Sequence, residues 1–333
     1  MATRTTPLRA HRPTLASLFA MAALGSACNG SSSPTPPAGD GSAPPPSRWA
    51  AAVGGAGTLT QTFDDVTWAT RSIVSRDLYA VTCVGNYDGW AAGEGGLVAH
   101  TFDGGQTWTS QDAHTSASLR AIRFGTAMLG LVAGDAGTLA VTRDGGSTWT
   151  TVGPWTGASL RGVAVASNAG VMIAVGDGGV VLRSPDAGGT WKESPIAGAG
   201  DLQAVASDPG AHRVLAVDAS GSVWSSTDAG VHFAREVSAG ARLNAVAMTD
   251  DGTLAIVAGA RGTVLESEDG AAWRTVPTDT KVDLHAALIT GEDGARHYVA
   301  GDSGTLLASS NRGASWSPVA IATSAPLYGL DDL

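Results

Sequence analysis

One short motif recurs seven times along the chain at a nearly constant interval, and this repetition constrains the fold more than any other feature. The segments TFDDVTW, TFDGGQTW, TRDGGSTW, SPDAGGTW, STDAGVHF, SEDGAAW and SSNRGASW place Asp64, Asp103, Asp144, Asp186, Asp228, Asp269 and Asn311 in one shared slot. Their separations are 39, 41, 42, 42, 41 and 42 residues. A period of this length marks a supersecondary unit that buries its apolar face against copies of itself.

Two further elements keep the same beat. Gly57, Gly96, Gly137, Gly179, Gly221, Gly262 and Gly304 each end a four-residue turn. A Leu-x-small element begins at Leu78, Leu119, Leu160, Leu202, Leu243, Leu284 and Leu327. Between them lie short apolar runs such as VMIAV and LAIVA, bounded by Gly, Asp and Ser, the pattern of short strands. Each repeat therefore reads as four strands, with a nearly all-apolar second strand suited to burial on both faces. Seven such units predict an all-β fold, a seven-bladed β-propeller of four-stranded blades. The chain enters at RWAAAVG, a second-strand sequence, and finishes with PLYGLDDL, a first-strand sequence. The C-terminal strand is thus expected to complete the first blade and close the ring, removing an exposed edge.

The repeated motif S/T-x-D-x-G-x-x-W is the Asp-box, or BNR repeat. Its carboxylate is expected to accept backbone N–H groups within the turn, while glycine supplies a left-handed residue. Trp68, Trp108, Trp149, Trp191, Trp273 and Trp316, with Phe233 once, are expected to cover the turns. This structural role also disposes of GDSG at residues 301–304, a tetrapeptide reminiscent of serine proteases. Ser303 occupies a slot held by Ala136, Gly178, Ser220 and Arg261 in sister repeats, so that slot carries no required chemistry, and no His/Asp pair is read as tied to it. No metal-loop or HExxH pattern is present, and neither cofactor nor metal is expected. His100, His114, His212, His232 and His297 lack ligand spacing and are expected at the surface or in loops.

Ahead of the repeats, residues 1–27 read as a secretion signal: Arg4, Arg9 and Arg12 precede LASLFAMAALGSA, too short to span a bilayer. Cys28 follows, resembling a bacterial lipobox cysteine, although Gly25 stands where a Leu-like residue is usual; the alternative is ordinary cleavage after Ala27, for which Gly25 and Ala27 supply the small residues. Residues 28–48 are expected to form a lipidated cysteine and a Pro/Ser/Gly-rich tether, with the propeller spanning 49–333. The protein is expected to be exported and lipid-anchored to a bacterial envelope membrane, facing periplasm or cell surface. Cys83, within YAVTCVG, is expected to be a buried strand residue. After signal removal, 17 basic residues stand against 30 acidic ones, a net charge of −13. An acidic chain without Lys/Arg clusters excludes nucleic acid as partner and gains nothing from anionic lipid head groups.

DGGQTW, DGGSTW and DAGGTW, each after an L/V-x-x-T/S-like strand, resemble the photosystem II stability/assembly factor family. The resemblance covers residues 49–333 and implies a seven-bladed propeller that assists assembly of a membrane complex without catalysing a reaction. Photosynthetic members lie on the lumenal side of the thylakoid and meet their client through an arginine-rich patch, whereas arginines are sparse here. Asp-boxes occur also in sialidases, sortilin-type receptors and xyloglucan hydrolases, so a carbohydrate-active propeller is the alternative. A sialidase needs three carboxylate-gripping arginines and a Tyr/Glu pair.

The Leu-x-small element locates the candidate site. Its middle residue is repeated in position, varied in identity and always large and polar: Tyr328, Tyr79, Arg120, Arg161, Gln203, Asn244 and His285 in ring order. These seven are expected to line the rim of the central channel and to contact a protein partner in the envelope. Glu94, Asp135, Asp177 and Asp302 share a slot in the glycine turns of the same face and are read as turn residues. The protein is expected to be monomeric, with the membrane met through the lipid anchor alone.

Overall fold

A computed structural model describes residues 50–332, apart from residues 86, 154–156, 169, 271, 292 and 293. The expected signal, Cys28 and the tether lie outside the described residues. Seven four-stranded antiparallel sheets make up the described chain, one for each repeat. In blades 2 to 7 the strands run in sequence order from the channel outward, starting with Leu78–Val84, Leu119–Phe124, Leu160–Ala166, Leu202–Ser207, Leu243–Met248 and Leu284–Thr290. Blade 1 departs from this order. Its innermost strand is Leu327–Asp332, paired antiparallel with Ala50–Gly54 so that Leu330 faces Ala52 and Gly329 faces Val53. The expected closure by the C-terminal strand is therefore present.

Burial follows the sequence pattern. Every residue of Ala50–Gly54, Gly130–Gly134, Val171–Gly176, Val214–Asp218 and Ala255–Gly259 is buried, because these second strands have a blade against each face. The cores lie between blades as much as within them. At the closure, Ala50, Ala52, Trp68 and Leu327 pack with Ala286, Leu288, Tyr298 and Leu306 of blade 7, and Trp68 meets Tyr298 edge-on at 5.6 Å.

Each Asp-box closes as its residues suggest. In blade 2, Asp103 Oδ1 accepts from the Thr107 amide at 2.8 Å, and Thr101 Oγ1 donates to Asp103 while accepting from the Gly105 amide. Trp108 Nε1 donates to the Gly105 carbonyl at 3.1 Å. Asn311 repeats the geometry with its amide oxygen accepting from Ser315 N at 2.9 Å, so the slot needs an acceptor and not a charge. Where the acid is present, the amides of Thr67 and Val66 hold Asp64 down to about 2.

The boxes also join the blades, a role the sequence did not announce. Arg143 Nη2 donates to Ala187 O at 2.7 Å, Arg183 Nε to Ala229 O at 2.6 Å and Arg213 Nη2 to Gly270 O at 2.5 Å. Arg274 reaches Arg312 O at 3.2 Å, and Arg71 reaches Gly105 O. Between blades 2 and 3 the donors are Trp90 Nε1 and Gln111 Nε2, at 3.1 and 3.2 Å from Gly145 O. At the closure, Arg296 pairs with the carboxylate of Asp65. All seven junctions thus carry a latch from one blade to the next blade's box.

Ring closure carries the first prediction. Leu327 is fully buried, worth about 1.5–3 kcal/mol, and its strand supplies the only cover for one edge of Ala50–Gly54 among the described residues. Deleting residues 325–333 should cause aggregation or lower the melting temperature by more than ~5 °C, whereas deleting residues 29–45 should leave melting nearly unchanged. Differential scanning calorimetry reads both.

Candidate functional site

The seven ring positions share one backbone irregularity. Opposite each, the pairing of first and second strands slips by one residue: Leu78 faces Gly93 but Ala80 faces Ala92, leaving Tyr79 as an unpaired bulge. The same slip skips Arg120, Arg161, Gln203, Asn244, His285 and Tyr328. A bulge re-aims its extra side chain, and all seven line a channel of about 1110 Å³. Glycine at the end of the second strand makes room for the crossing. At Gly93 a Cβ would sit 2.1 Å from the carbonyl oxygen of Asp77, which accepts the Glu94 amide at 2.9 Å. Hence the repeated glycine beside the repeated leucine.

Around the mouth the side chains engage one another in two arcs. Tyr79 and Tyr328 lie 5.7 Å apart between centroids, His285 is 5.5 Å from Tyr328, and the Arg120 guanidinium stands 4.4 Å over the Tyr79 ring. Across the ring, Arg242 donates to Asn244 Oδ1 at 2.8 Å and to Gln203 Oε1 at 2.6 Å. Burial raises the phenols of Tyr79 and Tyr328 above their ordinary range, keeping both neutral at physiological pH.

Three of the four acidic turn residues, Asp135, Asp177 and Asp302 but not Glu94, bond to ring side chains. Asp135 takes Arg120 in a two-pronged pair at 3.0 and 2.8 Å, and Asp177 takes Arg161 at 2.5 and 3.2 Å. The pairing with Arg120 holds the Asp135 carboxyl below its usual range. Asp302 lies 2.8 Å from His285 Nε2; it is next to Ser303 in sequence, but the described residues show no hydrogen bond between this pair and Ser303. The pair couples the ring to its turn. Ser303 itself is an exposed, left-handed residue at φ 57°, the turn position that Ala136 and Arg261 also occupy. Arg120 and Arg161 are therefore neutralised within their own blades and both ring amides are engaged, by Arg242 and by backbone carbonyls, leaving the two tyrosines as the ring's open chemistry.

At the opposite end of the channel, Arg123 pairs with Asp331 at 2.9 Å, and Asp331 accepts the Cys83 amide at 2.9 Å. Cys83 is buried, as expected, and burial drives its thiol well above the ordinary value. Burial likewise pushes Asp332 up to about 7, with Thr290 donating to it.

Two histidines depart from expectation. His114, His212 and His232 are at the surface, but His100 and His297 are in the core. His100 is stacked 4.2 Å from Trp90. His297 sits fully buried near Gly313, with Nε2 against Gly294 O at 3.0 Å, and burial lowers it to about 4. Nearby, fully buried Glu266 pairs with Arg274 at 2.8 Å through one oxygen, while the other has no partner among the described residues. Burial raises Glu266 to about 7. Its slot holds Gln61, His100, Val141, Arg183, Ser225 and Ala308 in sister repeats, so no repeated pattern singled it out.

This buried acid makes stability fall as pH rises. Because its folded value is above its unfolded one, the unfolded chain releases the proton first, and stability is lost between roughly 4.5 and 7. Glu266→Gln should therefore gain on the parent with rising pH, by on the order of 1–3 kcal/mol between pH 5 and pH 8. Urea unfolding at the two values measures it; a constant difference would contradict the assignment.

Comparison with known proteins adds a family. The model of the family described as photosynthesis system II assembly factor YCF48 matches residues 107–254, a span that includes DGGSTW and DAGGTW. Among solved structures, YCF48 bound to D1 peptide superposes with a TM-score of 0.58 at 20% identity, covering 73% of this chain and 80% of that one. YCF48 from Cyanidioschyzon merolae gives 0.61 at 20% identity, covering 78% of this chain and 90% of that one. An ancestral GH74 enzyme gives 0.58 at 16% identity, covering 69% of this chain but only 36% of its own. No curated protein matches the sequence. The chain thus resembles the YCF48 family in its Asp-box repeats and shares the propeller fold with the solved structures.

Proposed function

We propose that this chain is a non-catalytic, envelope-anchored propeller that binds a protein partner at the glycine-turn mouth of its channel, serving assembly or stability of a membrane complex. The observation that carries this reading is the ring of seven bulged side chains. One irregularity, repeated in every blade, aims a large polar group into a single opening while identity varies from blade to blade. Such a surface suits a specific, asymmetric ligand, and tyrosine and arginine are the residues that most often anchor protein interfaces. A similar propeller, YCF48, has been solved with a D1 peptide bound, which supports a peptide-binding role here.

A carbohydrate-active reading draws on the GH74 likeness. Glycoside hydrolysis needs one carboxyl held protonated and another free to attack or to activate water. At this mouth Asp135, Asp177 and Asp302 are each engaged by a basic side chain, and Arg120 depresses Asp135. That arrangement favours binding over acid catalysis.

Anchoring at Cys28 completes the proposal, carried by the basic start, apolar run and cysteine of residues 4–28. The test uses tagged full-length protein expressed in its native envelope. Affinity capture from detergent-solubilised membranes should recover one partner, lost at least ~10-fold when Tyr79→Ala and Tyr328→Ala together remove the aromatic anchors. Mass spectrometry of the same sample should find a diacylglyceryl cysteine at the mature N-terminus. Capture unaffected by the double substitution, or turnover of glucan or sialoside substrates, would reverse the binding reading; an unmodified N-terminus would reverse the anchoring.

A further inference from the structure

The face opposite the ring carries an unexplained apolar surface. Among the described residues the large exposed hydrophobics are Val66, Tyr87, Phe102, Met128 and Val231, at 80, 40, 53, 56 and 39% exposure. All five lie at the Asp-box end, and four fall on the consecutive blades 1 to 3. Val66 and Phe102 belong to boxes. Tyr87 and Met128 sit in the neighbouring loops, their carbonyls accepting from box amides Gly104 and Gly145 at 3.0 and 3.1 Å.

The fold does not demand these residues. The slot of Phe102 is filled by Phe63 in the first box but by Arg143, Pro185, Thr227, Glu268 and Ser310 in the others, and that of Met128 belongs to a solvent-facing loop. Phe102 is also rigidly backed. Its ring lies 3.9 Å from His100, which stacks on Trp90 at 4.2 Å, which stacks on Phe124 at 3.7 Å. A projecting aromatic held by a buried column loses little freedom on being covered.

We propose that this surface docks on an uncharged, zwitterionic lipid bilayer, an inference that rests on the anchoring proposed above. The point of chain entry selects the occupant. Ala50 pairs with Thr62 and Asp332, the box-side ends of their strands, so the polypeptide coming from Cys28 joins the propeller on this face, in blade 1 beside Val66. A lipid-anchored tether would hold these side chains at high local concentration near the bilayer, so a few of them suffice. Headgroup charge follows from the boxes themselves. Asp64, Asp103 and Asp144 stand on the same three blades, and hydrogen bonds from their turns keep all three carboxyls below the ordinary range and hence ionised. Anionic headgroups are repelled by that face. Docked in this way, the ring opens away from the membrane.

The experiment uses full-length lipoprotein purified from membranes and reconstituted in phosphatidylcholine vesicles, free of other proteins. A fluorophore is attached at Met128→Cys, with Ser303→Cys on the ring face as control; Cys83 is buried and unreactive. The 128 label should be quenched by brominated acyl chains and the 303 label should not. Adding Val66→Ser and Phe102→Ser, or replacing half the lipid by phosphatidylglycerol, should abolish most of the quenching. An unquenched 128 label in protein whose N-terminus carries the diacylglyceryl group would overturn the docking and leave the anchoring intact. An unmodified N-terminus would overturn the anchoring and the docking with it.

Discussion

The architecture depends on a hydrogen bond that crosses from each blade to the next. The residue after most box acids is left-handed, as at Ala187, Ala229 and Arg312, and its carbonyl accepts a donor from the preceding blade. A guanidinium donating to a carbonyl contributes roughly 1.5–3 kcal/mol net, and the latch recurs around a closed ring. Each blade's sheet is small, and its second strand must be covered on both faces, so no blade is complete without its neighbours. Closure by Leu327–Asp332 makes the last junction equivalent to the rest, with Arg296 and Tyr298 meeting Asp65 across it.

These latches also account for the electrostatics of the functional face. Six arginines serve as inter-blade donors, while Arg120 and Arg161 of the ring are matched by Asp135 and Asp177 of their own turns. Arg242, held by the amides of Gln203 and Asn244, keeps an unneutralised charge at the mouth. An acidic ligand would have to displace a bidentate partner from either ring arginine, whereas a neutral or aromatic group can meet Tyr79 and Tyr328 as they stand. The proposed binding surface therefore differs in chemistry from an arginine-rich patch, even though the fold is that of YCF48 structures.

Much of this was legible in the sequence because it repeats. The box acids, the turn glycines and the Leu-x-small element recur at fixed offsets, and from them came the blade count, the closing strand and the placement of the seven ring residues in the channel. What stayed hidden does not repeat. The latch donors come from different slots: Arg71 and Arg274 from outer strands, Arg143 from a box, Arg183 from a third strand, and Arg213 and Arg296 from the start of second strands. They converge only in space on the boxes, most on the carbonyl after the box acid, Arg71 on Gly105 O and Arg296 on the Asp65 carboxylate. The same holds for His297, whose slot is filled by apolar or small residues in sister blades, and for Glu266, the one acid in a slot of mixed identity. The bulge was visible only as its consequence, a polar residue between two packing ones.

The central claim is that the glycine-turn mouth of the channel is where the partner binds. Site-specific photo-crosslinking in intact envelopes tests it most directly, with a benzophenone amino acid replacing Gln203 in the ring or exposed Arg235 on the outer strand Ala234–Ser238. The account predicts one discrete protein adduct from position 203 and none from 235. Adducts from 235 alone, with position 203 silent, would contradict it.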